Sequence, residues 1–237
     1  EPMYGEENLM DIAYSNGASI LNDDGTRVTL NTKEWIEAWE FIRKCIHEDK
    51  MMTIHFGGDG WEYWYKTIDD VMQGRAAGYV GSSGDMADLD FTKIGVHIQP
   101  GFGDHAPNPY ADALTCAVLK GASEDQKEAG FKWLSYLTSA ENNGRIAMAT
   151  GYVPVRSSVM EDSDFQTYLQ EHPWASVPIE QAKIARPNFI DPTGGKIFQA
   201  ITDASDLIEI ENVSAKEALD KAQKTAQEAL DEYLAKR

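Results

Sequence analysis

Two stretches with the same hydrophobic period constrain this chain more than anything else in it. In residues 31–47, Trp35, Ile36, Ala38, Trp39, Ile42, Cys45 and Ile46 recur at helical spacing, and Asn31 with Glu34 three residues on reads as a capping pair in front of them. Toward the C-terminus Ser214 and Glu217 repeat the cap, and Ala218, Leu219, Ala222, Ala226, Ala229, Leu230 and Tyr233 repeat the inward-facing stripe. Between these helices lie short apolar runs that read as strands: 76–80, 93–100 ("KIGVHIQP") and 113–121 ("ALTCAVLKG"). A hairpin is expected over 21–30, turned at Asp24-Gly25.

The remaining segments are mainly helical. Leu9, Ile12 and Ala13 share a face near the start, and 66–73 reads as a short helix. Ser123 with Gln126 caps a helix whose apolar face is Phe131, Trp133, Leu134 and Leu137. Further helices are expected over 140–150 and 162–171, and 185–211 reads as an irregular stretch running into a helix. The mixture is α/β, helix-heavy toward the C-terminal end, without internal repeats.

The chain has 237 residues, enough for one large or two small domains. Its net charge of −18 repels nucleic acid and anionic membranes, so neither is expected as a partner, and it disfavours an anionic ligand unless a local basic pocket overrides it. No apolar run approaches the roughly 20 residues of a membrane helix. The chain opens on "EPMYGEENL", so any export signal is expected upstream of it. Cys45 and Cys116 are expected as two buried thiols, one on a helix and one on a strand, with a disulfide as the alternative.

No catalytic motif is complete in this sequence. "GYVGSSGD" (78–85) has the strand-then-turn context of a nucleophile elbow, but with Ser83 as nucleophile the last position is Asp85 where Gly is required. "PTGGKIF" (192–198) would need Gly at 190 and Ser or Thr at 197 to be a phosphate loop, and both positions are Ile. His47, His55, His97, His105 and His172 form no pair or Cys/His cluster at zinc-ligand spacing. "NDDG" (22–25) lacks the acidic spacing and distal Glu of a calcium loop. No metal site and no cofactor is expected, and the carboxylates are abundant as on any acidic surface, with no glycosidase pair marked out among them.

The order of features resembles one family. "EPMY", "ILNDDGTRVTLNTKEWIEAWEFI", "VMQGRAAGYVGSSGDM", "IGVHIQPGF", a helix pair after "VLKGAS", "GYVPVRSSV" and "SAKEALDKAQ" follow the sequence of elements in the extracellular solute-binding proteins of ABC importers, the group that includes the maltose- and glycerol-3-phosphate-binding proteins. The resemblance implies the C-terminal lobe of a two-lobe periplasmic-binding-protein fold: 1–116 and 161–237 would form that lobe, and 117–160 would be a helical segment of the N-terminal lobe. It further implies a fragment that lacks most of the first lobe, binds weakly alone, and exposes the apolar faces of 123–150. Two departures stand out. Asp112-Ala113 occupies the place of a frequent Gly-Gly pair, and Ser83 stands where the family often has a tryptophan.

The resemblance also implies a function: extracytoplasmic capture of a carbohydrate without catalysis, in the periplasm or anchored by lipid at the outer face of the membrane, for delivery to membrane permease subunits. Ser82, Ser83 and Asp85 lie at the end of an expected strand, where α/β proteins bind ligands, although a plain turn explains them as well. Asp112 is either a hydroxyl acceptor or a solvated loop carboxylate, and Tyr152 in "GYVP" either a ligand contact or hinge packing. Tyr4, beside Glu1, falls in the family's "E-P-x-x" contact stretch. Trp61, Trp64 and Tyr65 are either stacking residues or core. Arg186 suits a phosphate, being able to pair with it bidentately. The alternatives are a glycerol-3-phosphate or glycerophosphodiester binder, on "SSGDM" and "GYVP", and, in another class, a glycoside hydrolase-like enzyme on a similar α/β scaffold.

Overall fold

The computed structural model describes residues 4–236, and the chain divides into two compact units. The first comprises Glu1–Gly81, Gln99–Tyr110 and Ile184–Arg237; the second comprises Ser82–Ile98 and Ala111–Lys183.

The first unit is built on helices α1 (Glu6–Ser15), α2 (Lys33–His47), α8 (Lys196–Glu209) and α9 (Ala215–Leu234), with α3 (Glu62–Met72) beside them. The two sequence stripes become its centre: Trp35, Ala38, Trp39, Ala218, Leu219, Ala226 and Leu230 are buried to 0% exposure. Both tryptophans also satisfy their indole N–H groups, Trp35 donating to the Ser19 carbonyl at 2.7 Å and Trp39 to the Leu9 carbonyl at 2.8 Å. Ala215, Ala218, Ala222 and Ala226 put a row of small side chains on the buried face of α9. The hairpin forms as a single antiparallel bridge, Leu21 to Val28, with Gly25 at φ 70° in its turn.

The next strand the hairpin would pair with is replaced by side chains of α9. Gln227 Oε1 accepts from the Val28 N–H and Gln223 Oε1 from the Leu30 N–H, each at 2.8 Å, while Gln223 Nε2 donates to the Val28 carbonyl at 2.7 Å. Asn31 does not cap α2; its amide donates to Asp220 Oδ1 on α9, and Thr32 takes the N-cap position. "PTGGKIF" is a helix start whose amides are already filled: Asp191 Oδ2 accepts from the N–H groups of Ile197 and Phe198 at 2.9 and 3.0 Å.

The second unit contains α4 (Glu124–Leu137), α5 (Ala140–Thr150), α6 (Ser163–Glu171) and α7 (Ser176–Ala182). Its core is small: Ala147, Val159 and Phe165, with Met148, Tyr168 and Ile179 against them. The Ser123–Gln126 capping box forms as expected, yet α4 buries no residue, and Phe131 and Trp133 stay 69% and 58% exposed.

The three expected strands are a correction. Among the described residues the only paired strands are β1 (Tyr110–Ala111) and β2 (Arg186–Pro187), and 76–80, 93–99 and 113–119 lie outside any ladder. An alternating apolar run specifies a strand only when a neighbour about 4.8 Å away takes its backbone groups, and that neighbour is not written in the run itself. Cys116, in one of these runs, is exposed rather than buried; Cys45 is buried, and both are free thiols.

Candidate functional site

Two surfaces carry the residues singled out above, one in each unit. In the second unit Ser83–Asp88 is a 3-10 turn capped by Ser82. Ser82 Oγ accepts from the Gly84 N–H at 3.1 Å, and Asp85 Oδ2 accepts from the Ser82 N–H at 3.0 Å. Asp85 is 4% exposed, so its carboxylate shapes the turn; Ser82 is exposed and Ser83 half-buried. Tyr152 lies over this turn. A methyl group at Gly84 would sit 2.9 Å from Tyr152 Cζ, so the ring needs a glycine beneath it. Gly151, at φ 78°, brings its own backbone equally close, and a methyl there would meet the Ser83 carbonyl at 2.4 Å. The structure thus joins Ser82, Ser83, Asp85 and Tyr152 into one lip. Asp112 is exposed and accepts from the Ala113 N–H at 2.8 Å.

In the first unit a groove of about 620 Å³ is lined by Tyr14, Ser19, Leu21, Asn108, Arg186 and Phe189, among others. Its floor is fixed by the short sheet: the Arg186 N–H donates to the Pro109 carbonyl at 2.8 Å. The Arg186 guanidinium lies 4.2 Å over the centre of the Tyr14 ring, a cation–π contact, and among the described residues no carboxylate pairs with it. Asn108 donates from Nδ2 to the Tyr14 carbonyl at 3.3 Å and from its backbone N–H to Ser15 Oγ at 3.1 Å. Burial pushes the Tyr14 phenol up to about 12, against the opposing pull of Arg186. Next to it Asp11 accepts from the Tyr110 N–H at 2.8 Å, and desolvation raises its carboxyl to about 7.

Tyr4 belongs to a different part of the same unit. Its hydroxyl donates to Asp206 Oδ1 at 2.5 Å, and burial with that neighbouring acid raises its phenol further. Glu1, its companion in the sequence reading, lies outside the described residues. Tyr14, Asn108 and Asp11 were missed by sequence reasoning. Tyr14 reads there as one more helix residue, and only the pairing of β1 with β2 brings Arg186 onto its ring. Among the described residues no group of His, Cys, Asp and Glu could hold a metal ion, and no helix is long and apolar enough to cross a membrane.

Residues 3–172 match the model of the bacterial extracellular solute-binding proteins. The chain belongs to that family. Its place is accordingly extracytoplasmic. No curated protein matches the chain at a significant level. Solved structures are similar in fold, at low identity. UgpB from Mycobacterium tuberculosis, in complex with glycerophosphocholine, is 20% identical with a TM-score of 0.77, over 98% of this chain and 58% of that one. The GacH receptor of Streptomyces glaucescens, solved unliganded and with acarbose, is 16% identical with a TM-score of 0.82, over 98% and 60%. The maltose-maltodextrin binding protein of Alicyclobacillus acidocaldarius is 22% identical with a TM-score of 0.76, over 95% and 61%. The fold is that of a two-lobe periplasmic binding protein in part, the chain spanning about three fifths of these relatives.

Proposed function

We propose that this solute-binding protein captures a neutral carbohydrate, a sugar or oligosaccharide, and presents it without chemical change to the membrane permease subunits of an ABC importer. The observation that carries the reading is the groove lined by Ser19, Asn108, Arg186 and Phe189, where the half-buried Phe189 ring lies in the same lining as amide, hydroxyl and guanidinium groups, with the buried Tyr14 ring beneath Arg186. Such a lining matches a pyranose, whose C–H face packs on apolar surface while its hydroxyls take hydrogen bonds. In the second unit, taken by itself, the hydroxyls of Ser82, Ser83 and Tyr152 and the carboxylate of Asp112 are groups suited to the hydroxyls of a sugar. Assignment of 117–160 to the other lobe belongs to the same proposal.

A second reading has a specific basis. Arg186 carries a charge with no carboxylate partner, which suits the phosphate of a glycerophosphodiester. Calorimetry on the full-length protein separates the two. Maltose, maltotriose and related neutral sugars should bind, and Arg186→Ala should weaken them by roughly tenfold, the loss of about one charged hydrogen bond. Binding of glycerophosphocholine alone, abolished by Arg186→Ala, would replace the carbohydrate reading with the phosphodiester one. Release of reducing ends from any oligosaccharide tested would make the protein an enzyme and end both.

A further inference from the structure

Tyr4 and Gly5, just ahead of α1, lie against the end of α8, and the groups they meet there are acids. The Tyr4 hydroxyl donates to Asp206 Oδ1 at 2.5 Å, and the Gly5 N–H donates to Glu209 Oε2 at 3.1 Å. The Tyr4 ring also meets Tyr63 of α3 edge-on at 5.5 Å, so this short segment ties α8 to α3. Glu209 is 1% exposed, and its other oxygen, Oε1, has no hydrogen-bond partner among the described residues. The surroundings disfavour a negative charge on it. Asp206 lies one turn back on the same helix, Glu6 opens α1, and the last carbonyls of α8 add the negative end of the helix dipole. Among the described residues no cation pairs with Glu209. On α2, Arg43 is held by Glu40 and Glu48, and His47 bonds to the Ile208 carbonyl. The buried face of α9, which packs along α8, is alanine and leucine.

We propose that Tyr4 and Gly5 form a pH-operated latch on the end of α8, docked while Glu209 carries its proton and released when it loses it. The single amide donor from Gly5 offsets only part of the cost of a buried charge, so the docked form needs the neutral acid. Burial, with Asp206 and Glu6 adding to it, accordingly raises the carboxyl from 4.5 to about 8. Ionisation leaves a bare carboxylate beneath the segment, and moving the segment lets water reach it. The Tyr4 phenol, raised by burial and by Asp206, keeps its proton throughout, so within the latch Glu209 is the group that titrates. Release stays local, because α1 behind the latch is packed through Leu9, Met10 and Ala13. That helix carries Asp11 and Tyr14 farther along, so the latch holds one end of an element of the groove. The latch does not depend on which solute the groove takes.

The test is hydrogen exchange on the full-length protein, read at single amides and corrected for the intrinsic pH dependence of exchange. In the parent, protection of the Gly5 amide should fall by about tenfold or more between about pH 6.5 and 9, while the Leu219 amide of α9 stays protected. In Glu209→Gln, which keeps the shape and an acceptor for Gly5 but has no proton to lose, Gly5 protection should change by less than about threefold. Equal loss in parent and variant, or no loss in the parent, overturns the proposal. Loss at Gly5 together with Leu219 is global unfolding and overturns it as well. Should the variant fail to fold, the 13C-labelled carboxyl of Glu209 in the parent carries the test. Its shift must move over the same pH interval in which Gly5 loses protection, and a carboxyl already ionised at about pH 6.5 refutes the latch.

Discussion

Glu209, the last residue of α8, gives the sharpest stability test. It is 1% exposed; Oε2 accepts from the Gly5 N–H at 3.1 Å, and Oε1 has no hydrogen-bond partner among the described residues. Desolvation, with Asp206 and Glu6 adding negative charge, raises its carboxyl from 4.5 to about 8. The folded state therefore holds a proton that the unfolded state releases near pH 4.5. Stability is complete below that pH and is lost as pH rises toward 8, at about 1.4 kcal/mol per pH unit. Glu209→Gln keeps the shape and removes the titration. The variant and the parent should have equal stability near pH 4.5. At pH 7, some 2.5 units higher, the variant should be more stable by roughly 3 kcal/mol, or about 6–12 °C in Tm for a chain of this size. Urea and thermal unfolding at pH 5, 6, 7 and 8 measure the divergence. Parallel profiles, or a variant destabilised at pH 7, would show that the carboxylate is ionised and partnered in the folded protein, and the reasoning would fail.

Two glycines in the lip should separate strain from contact. Gly151→Ala forces a left-handed backbone and a 2.4 Å clash with the Ser83 carbonyl, and should cost about 2–4 kcal/mol in urea unfolding. Gly84→Ala meets only the 44%-exposed Tyr152 ring, which can swing away, so stability should change by less than about 1 kcal/mol while ligand binding weakens; equal destabilisation by both would refute this. Gln223→Ala leaves the N–H of Leu30 and the carbonyl of Val28 without their partner and should cost about 2–4 kcal/mol, whereas Gln170→Ala, at an exposed position, should cost under about 0.5.

What the sequence disclosed follows from how local each signal is. The caps at Ser123 and Ser214 are contained within four residues: Ser123 and Gln126 close a full capping box, while at Ser214 the serine's half forms, its side chain accepting from the Glu217 N–H. The stripes on α2 and α9 needed only a period, and both are buried. Asn31 went astray because Asp220, nearly two hundred positions away by sequence count, captures its amide. The hairpin's glutamine partners were invisible for the same reason, since on α9 alone Gln223 and Gln227 look like ordinary surface residues. The strand readings failed on pairing, which no single run encodes. In the lip, Ser82, Ser83, Asp85 and Tyr152 were each named from the chain, but the glycine contacts that join them across almost seventy residues appear only in the fold.

The groove's choice between a neutral sugar and a phosphodiester also depends on protons, which makes it testable by pH. Arg186 and Asp11 act on the same Tyr14 phenol in opposite directions, Arg186 lowering its pKa and Asp11 raising it, so both charges reach that ring. With its carboxyl raised to about 7, Asp11 is neutral in mild acid and charged in mild base. Below pH 7 the guanidinium acts with little local opposition and an anionic group is favoured; above it, the carboxylate offsets Arg186 and an anion is disfavoured. A neutral sugar has no net charge to respond to either state. Affinity for glycerophosphocholine should therefore fall several-fold between pH 6 and 8, affinity for maltotriose should stay within about twofold, and Asp11→Asn should flatten the phosphodiester profile. The unfolding curve supplies the companion reading, because Asp11 shares the sign of Glu209 and the same substitution should flatten stability up to pH 7. A phosphodiester affinity that is level with pH in the parent protein would mean that Asp11 does not reach the groove, and the electrostatic argument for its ligand would have to rest on Arg186 alone.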